Sequence, residues 1–283
     1  MDRIELHFHL LPGVDDGPGD LGVALALARE SVRDGTRVIT CTPHAAHVDV
    51  AEIPERVREL RAAVVQAGID LDVRPGAELA WRDVHALGGA ELETVAQGPP
   101  GRRWLLLEAP LPGTGTLAGL TDSARELRER GFGVLIGHPE RSPALVRDPG
   151  AVNQLLAAGD RLQVNASSLT GYHGAGARAA ALDLVAAGSA AVIASDAPAR
   201  CSRSAPERGR RGPAPREHAR RRSRGARGRR AAGAAGARVR PARAHGRLTH
   251  GASARTWRPS QSLRKAPRGS RCCARRAKSG RRS

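Results

Sequence analysis

Aromatic side chains are scarce in this 283-residue sequence, which holds two Phe, one Tyr and three Trp. A surface that stacks successive bases on interleaved aromatics is therefore not expected. No apolar run approaches the roughly 20 residues needed to cross a bilayer, so membrane insertion is not expected either. The opening MDRIEL is not a basic region followed by a hydrophobic one; no signal peptide is read from it, and a cytoplasmic location is expected. Only four cysteines occur: Cys41, Cys201 and the adjacent Cys272 and Cys273. Their spacing gives neither a disulfide framework nor a zinc ribbon. A Cys-x5-Arg phosphate loop is also excluded, because the sixth residues on are His47, Glu207, Lys278 and Ser279. Cys41 is expected in the core.

Lysine is absent before Lys265, and this exposes a division hidden by the net charge of +18. Residues 1–198 carry 18 Arg against 26 acidic residues, whereas residues 199–283 carry 28 basic residues against Glu207 and Glu217. The large apolar residues of the second part are few: Val239, Leu248, Trp257 and Leu263. So charged and apolar-poor a segment is expected to be a disordered basic tail. Folding is expected of residues 1–198.

What is present begins with His7-Phe8-His9, followed by Pro12-Gly13 and the carboxylates Asp15 and Asp16. Histidines at i and i+2 of an extended segment point to one side. Imidazole with carboxylate suits zinc, manganese or iron. The pair alone is a weak signal, since two histidines near a strand end are often structural. Either acid could equally be a turn residue, with Asp15 the better candidate for that role.

The remaining chain alternates. Asp20 can cap a helix with Leu21, Leu25, Ala28 and Val32, closed by Gly35. A strand over 37–41 ends in Thr42-Pro43-His44, and a helix over 54–66 carries Val57, Leu60 and Val64. Strands at 71–74, 104–107, 132–136, 161–164 and 191–194 alternate with helices at 117–130, near Val152 and at 178–187. Such alternation predicts parallel strands with helical crossovers. His44, Glu78, Glu108, His138 and Asp196 each follow a strand or a strand-like stretch. In a barrel of parallel strands those positions converge on one face, the face where such barrels do chemistry.

In order, HFHLLPGVDDG (7–17), TPH (42–44), GAEL (76–79), LLE (106–108), GHPER (137–141), QVNASSLTG (163–171) and SDA (195–197) resemble the PHP family of metal-dependent phosphoesterases. More closely, they resemble its bacterial tyrosine-protein phosphatases of capsule and exopolysaccharide operons. The resemblance implies an α/β fold, a distorted (β/α) barrel. It implies up to three divalent ions, commonly manganese, with zinc or iron as alternatives. Carried over by motif, the ligands would be His7, His9, Asp16, His44, Glu78, Glu108, His138 and Asp196, and Arg141 would hold the substrate phosphate. Implied too are hydrolysis of phosphotyrosine by a metal-activated hydroxide and, as partner, a bacterial tyrosine kinase that controls polysaccharide export.

One motif departs from the family. Its Asp-x-His reads Asp196-Ala197-Pro198 here, and proline offers no side-chain ligand. The composition changes at the same point to Arg, Ala, Gly, Pro and Ser, residues with G- and C-rich codons. An out-of-frame reading after residue 198 and an incomplete barrel with exposed apolar faces are therefore expected. Two other functions stay open. One is a small-molecule phosphoesterase of the histidinol-phosphatase kind. The other is an inactive copy whose arginine runs, such as Arg220-Arg221-Arg222, bind nucleic acid nonspecifically. His47, His85 and His173 are expected at the surface, with Tyr172-His173 as a rim contact; Glu140 either helps to position Arg141 or is exposed to solvent, the second reading being favoured. Asn165 and Ser167 either orient ligands or bond backbone.

Overall fold

The structure, a computed structural model, describes residues 2–197. Pro198, the basic segment 199–283 and the composition break between them lie outside the described residues.

Among the described residues, eight parallel strands occur. The strands are β1 (Arg3–Phe8), β2 (Thr36–Cys41), β3 (Asp72–Pro75), β4 (Glu78–Leu79), β5 (Trp104–Glu108), β6 (Gly133–Gly137), β7 (Arg161–Asn165) and β8 (Ala190–Ala194), and all but β3 and β4 are separated by helices. They form two sheets of order β1-β2-β3 and β4-β5-β6-β7-β8. Pairings such as Phe8 with Cys41, Glu108 with Gly137 and Asn165 with Ala194 bring the carboxyl ends level. The sheets meet at two seams. At one, the Glu78 amide donates to the Pro43 carbonyl at 3.0 Å; at the other, the Asp196 amide donates to the His7 carbonyl at 3.1 Å. Glu5 on β1 reinforces the second seam by accepting from the Ser195 amide. This is the distorted barrel expected.

Helices cover the sheets: α1 (Leu21–Arg33), α2 (Ile53–Gln66), α3 (Trp81–Ala86), α4 (Gly89–Val95), α5 (Leu117–Glu129), α6 (Pro143–Arg147), α7 (Pro149–Ala157), α8 (Ala166–Leu169) and α9 (Gly174–Ala186). Asp20 caps α1 as expected, its carboxylate accepting from the Val23 amide at 2.9 Å. Of the expected stripe Ala28 is buried and Leu25 and Val32 are half-buried against the core, but the deepest face is shifted. It is Ala24, Leu27 and Ala28, and Leu21 is exposed. Alanines one turn apart let the helix approach the sheet more closely than leucines would. Gly35 ends the helix at φ +91°, a conformation that a side chain disfavours.

The segment between β4 and β5, unassigned from sequence, forms α3 and α4. Asp83 and Glu91 accept from the Ala80 and Gly88 amides at their amino ends, and Val84, Leu92 and Val95 fill the core. Leu105, Leu106 and Leu107 of β5 are all buried, as expected of a parallel strand covered on both faces. Cys41 is in the core, and burial pushes its thiol up. Among the described residues Leu182, Val185 and Ile193, in the last helix and strand, are exposed apolar side chains. No helix of the described residues is long and apolar enough to cross a membrane.

One buried charge ties α5 to the end of α7. Asp160, fully buried, accepts from Arg128 Nη1 at 2.6 and 2.8 Å. Burial raises the Asp160 carboxyl, and the Arg128 charge offsets only part of the rise. Arg128→Met strands this carboxylate and is expected to cost about 2 kcal/mol at neutral pH. Because the folded state then holds the proton more tightly than the unfolded one, the loss shrinks as the pH falls. Urea denaturation at two pH values measures both effects.

Candidate metal centre

The expected ligands gather at the end of the barrel where β1, β2, β5, β6 and β8 finish, with Asp16 on the loop after β1. His7 is in β1 and His9 just beyond it, Glu78 opens β4 and Glu108 closes β5. His44, His138 and Asp196 follow β2, β6 and β8. Gly76 makes the approach to Glu78 possible, since a Cβ there would lie 2.6 Å from Thr40 Cγ2. Among the described residues, two non-glycine residues have positive φ, and both belong to this set: His138 at 34° and Asp196 at 46°. Such backbone costs on the order of 1 kcal/mol each and persists where surrounding contacts impose it.

His7, His9, Glu78 and Asp196 converge most closely. His7 Nε2 is 3.3 Å from Glu78 Oε2 and 3.2 Å from Asp196 Oδ1; His9 Nε2 is 3.4 and 3.3 Å from the same two oxygens. Metal bonds of about 2.0–2.1 Å set ligand atoms roughly 3.0–3.4 Å apart, so these are the spacings of one coordination sphere. His7 Nε2 and Glu78 Oε2 are buried without a hydrogen-bond partner. Orphaned buried polar atoms are costly, and a cation between them satisfies both. The residues fit a divalent ion.

Two further groups share members with the first: His9, Asp16 and His44, and His44, Glu78 and Glu108. Asp16 is 58% exposed at the cleft mouth. His138 stands outside the three groups, its Nε2 3.0 Å from Glu78 Oε1. Arg141 projects from the turn after β6 and its Nη1 contacts Asp196 Oδ2 at 2.8 Å. These side chains, with Leu111, Ser167, Tyr172 and His173, line a cleft of about 270 Å³.

Charge follows from burial and neighbours. Burial opposes protonation of His7 and His9, but Glu78 and Asp196 beside His7 hold it up at about 9. Bonds to Asp15, Asp196 and Glu78 hold His9 up at about 12. Burial likewise raises the Glu78 carboxyl, yet His7 and the other imidazoles win and keep it well below the carboxylate range. Asp196 is depressed for the same reason. Glu108 goes the other way, raised by burial and then by the Glu78 charge.

A supporting layer was only partly foreseen. Asp15 is a turn residue, accepting from the Gly17 amide, but it also accepts from the His44 amide at 3.0 Å and holds His9 Nδ1 at 2.7 Å. Gln163 Oε1 accepts from the His138 amide and lies 3.0 Å from His7 Nδ1. His7 and His9, each held at Nδ1, therefore turn Nε2 inward. Gln163 also donates to Asn165 Oδ1, and Asn165 Nδ2 donates to Asp196 at 2.6 Å, so Asn165 orients a candidate ligand. The period-two pair in QVN was the available signal for Gln163. Tyr172 and His173 stand at the cleft rim as expected, and the surface placement of Glu140 is corrected. Glu140 is not at the surface: it is 2% exposed, accepting from the Asn165 amide and Ser168 Oγ, which ties the turn after β6 to α8. His173 is half-buried and bonded to Ser167 Oγ at 3.0 Å, whereas His47 and His85 are exposed.

The sequence profile described as "Capsular polysaccharide synthesis, CpsB/CapC" matches residues 3–209. The chain belongs to this family. It is 30% identical over 198 residues to the tyrosine-protein phosphatase YwqE of Bacillus subtilis, covering 69% of this chain and 76% of that one. It is 28% identical over 201 residues to the putative tyrosine-protein phosphatase CapC of Staphylococcus aureus, with the same coverage. A solved chain described under "Crystal structures of YwqE from Bacillus subtilis and CpsB from Streptococcus pneumoniae, unique metal-dependent tyrosine phosphatases" superposes with a TM-score of 0.59 at 29% identity, covering 69% of this chain and 79% of that one.

Proposed function

We propose that this family member is a metal-dependent protein-tyrosine phosphatase, with divalent ions held by His7, His9, Glu78 and Asp196 and by the adjoining Asp16, His44 and Glu108. The observation that carries the reading is the set of unpartnered, buried nitrogen and oxygen atoms at coordination spacing. The family supplies the substrate class, since relatives at about 30% identity are tyrosine phosphatases. Manganese is the ion we expect, and a bacterial tyrosine kinase of polysaccharide synthesis the partner.

When bound, the ions supply Lewis acidity toward phosphoryl oxygens and lower the pKa of coordinated water toward neutrality. The chain's own part is orientation and charge. Arg141 offers a planar guanidinium, suited to gripping two phosphoryl oxygens at once, and its partner Asp196 holds it at the cleft wall. Glu140, through Asn165 and Ser168, fixes the turn that carries Arg141. Tyr172, the chain's one tyrosine, stands exposed at the mouth with its ring 5.0 Å from that of His173, an apolar edge for the substrate's phenyl ring. Phenolate, with a pKa of about 10, leaves more readily than an alkoxide, so a strong general acid is not required.

The test is hydrolysis of matched phosphotyrosine and phosphoserine peptides by the full chain with added manganese, before and after chelation. Turnover of the phosphotyrosine peptide alone, lost on chelation and restored by the ion, is expected. Turnover that survives chelation, or equal turnover of histidinol phosphate, contradicts the reading.

A further inference from the structure

A second cavity adjoins the metal cleft. It has a volume of about 430 Å³ and is walled by Pro112, Pro143, Val146, Gly176 and Ala177. Leu111, Arg141 and His173 border both spaces, so the recess opens directly beside the place where Arg141 would hold a phosphate. Its charged neighbours are turned away. Arg141 Nη1 is directed to Asp196, Glu140 Oε1 is taken by Asn165 and Ser168, and Glu140 Oε2, which has no hydrogen-bond partner, is closed off from solvent. A polar occupant would find little to bond there, whereas an aliphatic one would exchange water for aliphatic walls.

The substrate that places phosphotyrosine in the cleft is a polypeptide, and in an extended chain alternate side chains point the same way, roughly 6.8 Å apart. Resting on the phosphatase reading above, we propose that this recess is a specificity subsite that takes an aliphatic side chain two residues from the phosphotyrosine. Continuity with the cleft selects that occupant: a residue at this spacing follows the phosphotyrosine over the shared Leu111 and His173 wall. The adjacent residue, pointing the opposite way, does not reach the recess.

The structure offers a way to close the subsite without touching the catalytic cleft. A Cβ added at Gly176 would meet no atom within 4 Å, and Gly176 lies in the first turns of α9, where a leucine also improves helix propensity. The experiment uses the full chain with manganese and four substrates. These are 4-nitrophenyl phosphate, a phosphotyrosine peptide with serine at both −2 and +2, and the same peptide with leucine at one or the other position. Wild type is expected to favour one leucine peptide about tenfold in kcat/KM, the discrimination that partial burial of one leucine side chain provides. Gly176→Leu is expected to reduce that preference below about twofold while turning over 4-nitrophenyl phosphate within about twofold of wild type. Ala177→Leu, from the same wall, is expected to do likewise, and thermal melts confirm that both variants fold. Turnover without preference in wild type, or a preference that survives both fillings, overturns the subsite alone. Absence of turnover on every phosphoester overturns the phosphatase reading and the subsite with it.

Discussion

Glu78→Gln abolishes ion binding at the two candidate groups that contain it and lowers kcat by about a thousandfold or more, the largest effect expected of any single substitution in this chain. The change conserves volume and keeps one oxygen, so packing is barely altered. What it removes is charge, and Glu78 is where that charge matters. Its carboxylate lies 3.0–3.4 Å from His7, His9, His44 and His138, and it is shared by two of the three candidate ion groups. An amide in its place is a poor ligand for both groups at once. In the ion-free protein the carboxylate's depressed pKa means that it stabilises the fold at neutral pH, a contribution lost as the pH falls through that depressed value. The variant is therefore expected to melt lower than wild type without ions and to gain little when manganese is added. Elemental analysis after dialysis and a melt with and without the ion separate loss of the site from general unfolding.

Arg141→Ala produces the second large effect, with a different signature. Arg141 contacts Asp196 Oδ2 while the Asp196 Oδ1 atom faces His7 and His9, so ion binding by the variant is expected to stay within a fewfold of wild type. Only the grip on phosphoryl oxygens is lost, and kcat/KM falls by about a hundred- to a thousandfold. Arg141→Lys restores charge but not the planar fork, and recovers only part of the loss. Equal ion content with collapsed kcat/KM is the expected pattern. Ion loss in Arg141→Ala would instead make it a structural support for Asp196.

The convergence of the candidate site was legible because it follows from one rule: residues just past parallel strands share a face. His44, His138 and Asp196 obey it, Glu108 is the last residue of its strand, and Glu78 reaches the same face as the first residue of the short β4. The supporting contacts were less legible because they depend on pairs far apart in the chain. Glu140 reads as a surface charge, since isolated carboxylates are seldom buried, and the Asn165 amide and Ser168 hydroxyl, 25 and 28 residues on, explain its place inside. Asp15 and Asp16 are adjacent acids that sequence assigned to turn and ligand by motif position; the structure gives Asp15 the work of holding His9 and leaves Asp16 exposed toward the mouth. Helices α3 and α4 are not legible because six and seven residues carry too few turns for a period, and Gly88-Gly89, where α4 begins, reads as a loop. What holds α3 is tertiary: the Trp81 carbonyl accepts from Ser123 on α5, and its ring lies against Gly115 and Gly119.

The most direct test of the account is an ion titration of the chelator-stripped full chain, reading bound manganese and phosphotyrosine turnover in the same samples. Turnover is expected to be absent at zero ion and to rise with bound manganese, with Glu78→Gln flat in turnover and binding no more than the ion that His9, Asp16 and His44 could hold. Phosphotyrosine hydrolysis by the stripped protein, or manganese binding that Glu78→Gln leaves intact, would contradict the placement of the chemistry on this cluster.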